Sequence, residues 1–348
     1  MADYVPERVH LVGSIGLDSV EEIFRTVGAL FGRRLRRVPD GEVGPRRLWV
    51  TFQYPLLRSS PFLQRDPGGA VRITSGIPQL CLADGVDAND IRFGELGYVR
   101  EARGSYVDFC AARDRGELPR GVRFQVCLPT PMGVSYAFCV PRDVVAVNAA
   151  YERAMRDEVA LLCRAIPHRD LCIQWDFCHE MIMWDGQPQA HFAAPAGKDD
   201  IVRSVREVCE AVPDGVEMGF HLCYGDFGAR HFLEPLDAGR MVEVCNAFAQ
   251  NVRHKIAYVH LPVPIDRSDD GYFEPLKDLS IDPATEIYLG LVHGADGAEG
   301  TRRRIATASR HVKDFGIATE CGMARARRND VVQGLLKVHA EVSREPVR

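Results

Sequence analysis

No apolar run in this 348-residue chain approaches the roughly 20 residues that a membrane span requires. The first eight residues, Met1 to Arg8, reach the first apolar run without a signal region. No internal repeat or low-complexity tract is present, and neither sign of charge dominates. The net charge is −5, and the basic residues are spread along the chain apart from Arg33, Arg34, Arg36 and Arg37 and a second group at Arg302, Arg303 and Arg304. Both groups read as solvated helix ends rather than as a nucleic-acid footprint. Cysteine is plentiful, but the count of 11 is odd and the chain is large, which argues against a disulfide framework. Cys81, Cys110, Cys127, Cys139, Cys163, Cys172, Cys178, Cys209 and Cys245 are for the most part expected to be reduced packing residues. These absences together predict a cytoplasmic protein with no membrane or nucleic-acid partner.

A hydrophobic fraction of 46% and a charged fraction of 26% fit a globular protein. The length suits one α/β barrel, which takes about 250 residues plus insertions. Short β-rich runs at 9–12, 35–38, 122–128, 171–175, 217–222, 256–261, 286–292 and 317–320 alternate with helical patterns. The helices are expected at Ser19 to Leu30, which opens on the capping pair Ser19 and Glu22, at 144–162, 198–211, 238–251, 301–315 and 330–342. Eight strands alternating with helices predict one (β/α)8 TIM-type barrel domain over 1–348, with a doubly wound sheet as the alternative. The long stretch 39–121 after the second strand predicts an elaborated segment of helices and irregular chain folded over one barrel end.

Polar residues recur where the strands end. Gly13-Ser14, Asp40-Gly41-Glu42, Pro129-Thr130, Asp176, His221 with Cys223, His260, His293 and Glu320-Cys321 each follow or close one of the eight runs, the end at which barrel enzymes build active sites. Among them His221, Cys223, His260 and Cys321 are donors that suit zinc, which takes imidazole nitrogen and thiolate sulfur tetrahedrally. The competing reading of His-x-Cys is a buried polar group beside a small hydrophobe.

The ordered motifs "LVGSIG", "PDGEVG", "FQVCLPTP", "IQWD", "FHLCYGDF", "YLGLVHGADG" and "ATECGMAR" resemble the catalytic barrel of cobalamin-independent methionine synthase, in the uroporphyrinogen decarboxylase/methionine synthase-like superfamily. The resemblance covers nearly the whole chain. It implies zinc as cofactor, with His221, Cys223 and Cys321 as ligands. The family's glutamate ligand corresponds to His260, and Glu320 stands as the alternative. It also implies an amino-acid pocket, with Gly13, Ser14 and Ile15 at the carboxylate and Glu42 and Asp176 at the ammonium. His293, with Asp296 close behind, falls at the family's acidic position after the seventh strand, and either could move a proton. A chain of 348 residues is expected to be too short for the family's second barrel, and the aromatic folate-stacking segment is not evident, with Tyr136 and Phe138 as surrogates.

The expected function is zinc-dependent transfer of a methyl or other alkyl group to a thiol such as homocysteine. The partners are then a small-molecule thiol and an alkyl donor, and self-association is left open. The alternatives are an epoxide:thiol transferase, a zinc hydrolase or lyase with Asp176 or Glu180 as general base, and a non-catalytic binder. Glu180 is also a candidate substrate contact.

Overall fold

The computed structural model describes residues 4–72, 75–187, 196–226, 230–325 and 327–346. Among the described residues nine strands form two sheets: β1 (Arg37–Pro39), β2 (Leu63–Arg65), β3 (Leu80–Leu82), β4 (Arg123–Pro129), β5 (Leu171–Phe177), β6 (Glu217–Leu222), β7 (Tyr258–Pro262), β8 (Glu286–Val292) and β9 (Phe315–Thr319). Seven of them make one parallel sheet in the order β1-β4-β5-β6-β7-β8-β9. The order follows the sequence from edge to edge, so the reversal that defines a doubly wound sheet is absent. Buried Val, Ile, Leu and Phe run through these strands, as a parallel sheet covered by helices requires.

The expected closed barrel of eight strands is corrected by this sheet. It is an open half-barrel whose edges stand 12 Å apart. The segment expected as the first strand makes only isolated bridges, from Val9 to Leu35 and to Ile317. Side chains, not neighbouring strands, capture the carbonyls that would continue a ladder. Gln125 Nε2 donates to Leu11 O at 3.0 Å and Gln174 Nε2 donates to Val12 O at 2.5 Å.

Helices cover the sheet near the expected positions. Val20–Phe31 begins at Ser19, whose Oγ accepts from Glu22 N at 3.2 Å. Val144–Ala165, Lys198–Cys209, Gly239–Asn251 and Asn329–Val342 follow the apolar periodicity. The helix expected at 301–315 instead occupies Gly297–Ala308, and Phe315 opens β9. Its first turn carries Gly297 and Gly300, which read as loop because glycine weakens helices. The stretch after β1 holds a kinked 3-10 segment over Gly44–Gln53, helix Tyr54–Ser59, the β2-β3 hairpin and helix Tyr98–Asp114.

Charge closes the N-terminal end of the sheet. Arg37 at the start of β1 is 5% exposed and pairs with Glu217 at the start of β6 and, at 2.7 Å, with Glu286 at the start of β8. Its guanidinium lies 4.3 Å from the Tyr258 ring centroid. Arg304 is likewise buried, at 1% exposure, on Asp296. The two arginine groups are therefore solvated only in part, since a guanidinium can be buried where carboxylates meet it. All 11 cysteines are free thiols. Among the described residues no helix is long and apolar enough to cross a membrane.

Candidate metal centre

The C-terminal strand ends gather the polar residues in one layer. In neighbouring parallel strands, residues in register point to the same face. Asp176 on β5 is in register with His221 on β6, and His221 with His260 on β7. Two residues further, on the same face, stand Cys178 and Cys223, and Cys223 N continues the ladder by donating to Phe177 O at 2.9 Å. Cys321 arrives from the far side, two residues past β9.

His221, Cys223 and Cys321 converge, with one donor atom of each within 4.8 Å of the others, and all three are buried. The two sulfurs are 3.6 Å apart. Two thiolates bound tetrahedrally at about 2.3 Å would lie about 3.8 Å apart, so little movement separates this pair from chelation. His221 Nε2 is buried without a hydrogen-bond partner. A buried imidazole nitrogen left in that state is costly unless something occupies it. The three residues fit a divalent metal ion.

The thiols are unequal. Cys321 is held well below the ordinary thiol value by the hydrogen bond from Cys223, helped by the Arg325 guanidinium and by His221. Arg325 Nη2 donates to Cys321 Sγ at 2.9 Å. The Cys223 thiol is pushed up by its hydrogen bonds with Cys178 and Cys321 and by burial.

His260 does not join the cluster. Its Nδ1 meets His221 Nδ1 at 2.7 Å, so it stands behind His221 in the same layer instead of one layer higher beside Cys223. Burial first, and then neighbouring His221 and His10, hold it neutral, well below the ordinary imidazole value. Glu320 is also engaged elsewhere, 3.2 Å from His231 Nε2 and 3.4 Å from His293 Nδ1. Burial pushes its carboxyl up to about 8.

The cluster forms one wall of a narrow cleft, partly open to solvent, whose other walls include Gly13, Ser14, Glu42 and Asp176. A Cβ at Gly13 would sit 3.2 Å from Cys127 Sγ and 3.4 Å from Glu42 Oε2, a tight fit that those side chains would have to ease. Ile15 is not in the wall: its side chain is fully buried and its N–H donates to Gly41 O at 2.9 Å. Asp176 accepts from Gln174 Nε2 at 2.9 Å and from Trp49 Nε1 at 3.1 Å. Burial raises its carboxyl to about 6, against the pull of His221. Glu42 is pushed well above the carboxylate range by desolvation and by the charge of Asp176. Arg46 gives both terminal nitrogens to Asp40, at 2.8 and 3.2 Å, and among the described residues neither Glu42 nor Asp176 forms an ion pair, though Arg46 and Arg325 are near enough to oppose the rise at Glu42.

Three further expected residues lie outside the cleft wall. His293 bonds Val263 O at 2.9 Å, and burial pushes it down to about 3, so it is neutral near pH 7. Asp296 is held by Arg304 at 2.7 and 2.9 Å. Glu180 is buried in the first turn of helix His179–Asp185, where desolvation raises it to about 7.

Trp49, Cys178 and Arg325 also stand in the wall and were not among the expected site residues. Arg325 ends the quoted motif "ATECGMAR". Cys178 repeats, as Asp-x-Cys on β5, the His-x-Cys of β6. Trp49 had no sequence signal; like Glu42 it holds a left-handed backbone, with φ 53 and 49 respectively. Backbone strain of that kind gathers at functional sites.

No protein-family model and no curated protein matches the chain. Solved structures do. A B12-independent methionine synthase from Shewanella sp. W3-18-1, in complex with selenomethionine, is 15% identical, with 97% of this chain and 98% of that one covered and a TM-score of 0.60. The candidate vitamin-B12-independent methionine synthase from Listeria monocytogenes is 13% identical, with 98% and 96% covered and a TM-score of 0.58. At these identities the likeness shows the fold alone: the chain folds as these methionine synthase structures do, over nearly their whole length.

Proposed function

We propose that this protein transfers a methyl or other alkyl group to the sulfur of a thiol amino acid, using zinc held by His221, Cys223 and Cys321. The observation that carries the reading is the convergence of one imidazole and two thiols in the cleft wall, with His221 Nε2 buried and unpartnered. When bound, zinc would keep a substrate thiol deprotonated near neutral pH and so make it a nucleophile.

The remaining work falls to the chain. His221 keeps its Nε2 lone pair for the metal if its Nδ1–H donates to His260, the second-shell arrangement common to metal-bound histidines. Glu42 and Asp176 face the cleft, both raised by burial and Glu42 further by the charge of Asp176, and an ammonium between them would favour their charged forms. Gln174 and Trp49 fix the direction of the Asp176 carboxylate. That pocket suits an amino acid, and the selenomethionine of the Shewanella structure has the same backbone end.

Metal analysis and calorimetry test the reading together. The purified protein should hold about one zinc per chain, and Cys223→Ser and Cys321→Ser should each lose it. The zinc form should bind homocysteine and not homoserine, in which oxygen replaces sulfur. Full zinc occupancy in both variants, or equal affinity for the two amino acids, would refute it.

A further inference from the structure

Three donors leave a tetrahedral ion one position short. The two residues that sequence position offers for it are turned to other partners: His260 to His221 and Glu320 to His231 and His293. From the geometry we infer that Cys178 is the fourth protein donor in the resting protein, giving three sulfurs and one imidazole nitrogen. The inference rests on the metal reading above and adds a ligand to it.

Register carries it. Asp176 and His221 are paired across β5 and β6, so Cys178 and Cys223, each two residues on, are neighbours on the same face. The Cys223 N to Phe177 O bond shows that the pairing continues to that level. Cys178 is 2% exposed yet lines the cleft with the other three donors. Arg325 donates to Cys321 Sγ at 2.9 Å and stands in the same cleft wall as Cys178 and Cys223. His221 Nε2 supplies an independent sign that something belongs among these sulfurs. A Cys3His set is among the commonest tetrahedral zinc environments.

Position distinguishes Cys178 from the other donors. It lies outside the tight group of His221, Cys223 and Cys321, and it stands where β5 gives way to helix His179–Asp185. The last donor to reach the ion is the one that an entering thiol can replace without unmaking the site. A site closed by four protein ligands at rest would then become an open one in the presence of substrate.

Zinc-edge X-ray absorption tests this on the full chain, purified with a phosphine reductant and no added thiol. The expected first shell is three sulfurs and one nitrogen, falling to two sulfurs in Cys178→Ser while zinc stays near one per chain. The wild-type spectrum is decisive even if the variant folds poorly. Two sulfurs in the wild type would overturn Cys178 as a ligand and leave the three-residue site intact. A protein that binds no zinc would overturn both.

Discussion

His221 and His260 meet nitrogen to nitrogen, Nδ1 to Nδ1 at 2.7 Å, so one ring must donate and the other accept. If His221 donates, its Nε2 is left with a lone pair beside Cys321. That tautomer is the one a metal requires, and in it His260 is an orienting residue.

A zinc affinity measurement separates the two roles of His260. His260→Ala should weaken zinc binding by about 10–100-fold, the usual cost of losing such a partner, and the site should still fill at high zinc. His221→Ala should lose far more. Equal losses, measured by competition with a chelating dye, would make His260 a ligand.

The carboxylate pair gives a second expectation. Asp176→Asn should weaken homocysteine binding by about 1.5–3 kcal/mol, the range for a hydrogen bond to a charged group, with zinc content unchanged. The des-amino analogue should be almost indifferent to the substitution. Calorimetry showing equal losses for both ligands would remove the ammonium from this site.

Acid should destabilise the protein through histidines buried neutral. His339 is fully buried with Nδ1 on Leu335 O at 2.8 Å, and burial pushes it down to about 4. A depressed histidine contributes stability that is fully present above the unfolded value of about 6.5 and is lost as pH falls through that value toward 4. His179 and His293, each pushed down to about 3 by burial, act in the same direction. Urea unfolding of His339→Leu should lose about 2 kcal/mol less than wild type between pH 7 and pH 5. Parallel pH profiles would show that His339 titrates alike in both states.

Much of this site could be read from the chain because strands place alternate residues on one face. His221-x-Cys223 and Cys321 were visible as donors at strand ends, and the seven strands of the main sheet lie within a few residues of their apolar runs. What the pattern could not supply was register. His260 ends an apolar run as His221 does, yet only the pairing of β6 with β7 shows that it lies level with His221, below Cys223. The same ignorance of register hid Cys178, which composition alone assigned to packing. The missing first strand has another cause, since Gln125 and Gln174 lie more than a hundred residues from the carbonyls they capture. His293 and Asp296 were chosen for chemistry, but Val263 and Arg304 hold them in place.

The proposed transfer requires a substrate sulfur to reach a zinc ion held by His221, Cys223 and Cys321. Selenium-edge X-ray absorption of the zinc-loaded protein with selenohomocysteine tests it most directly, because selenium marks the substrate atom alone. A zinc neighbour at bonding distance from selenium is expected, and none in Cys321→Ser. Selenohomocysteine bound with no zinc beside its selenium, or not bound at all, would contradict it.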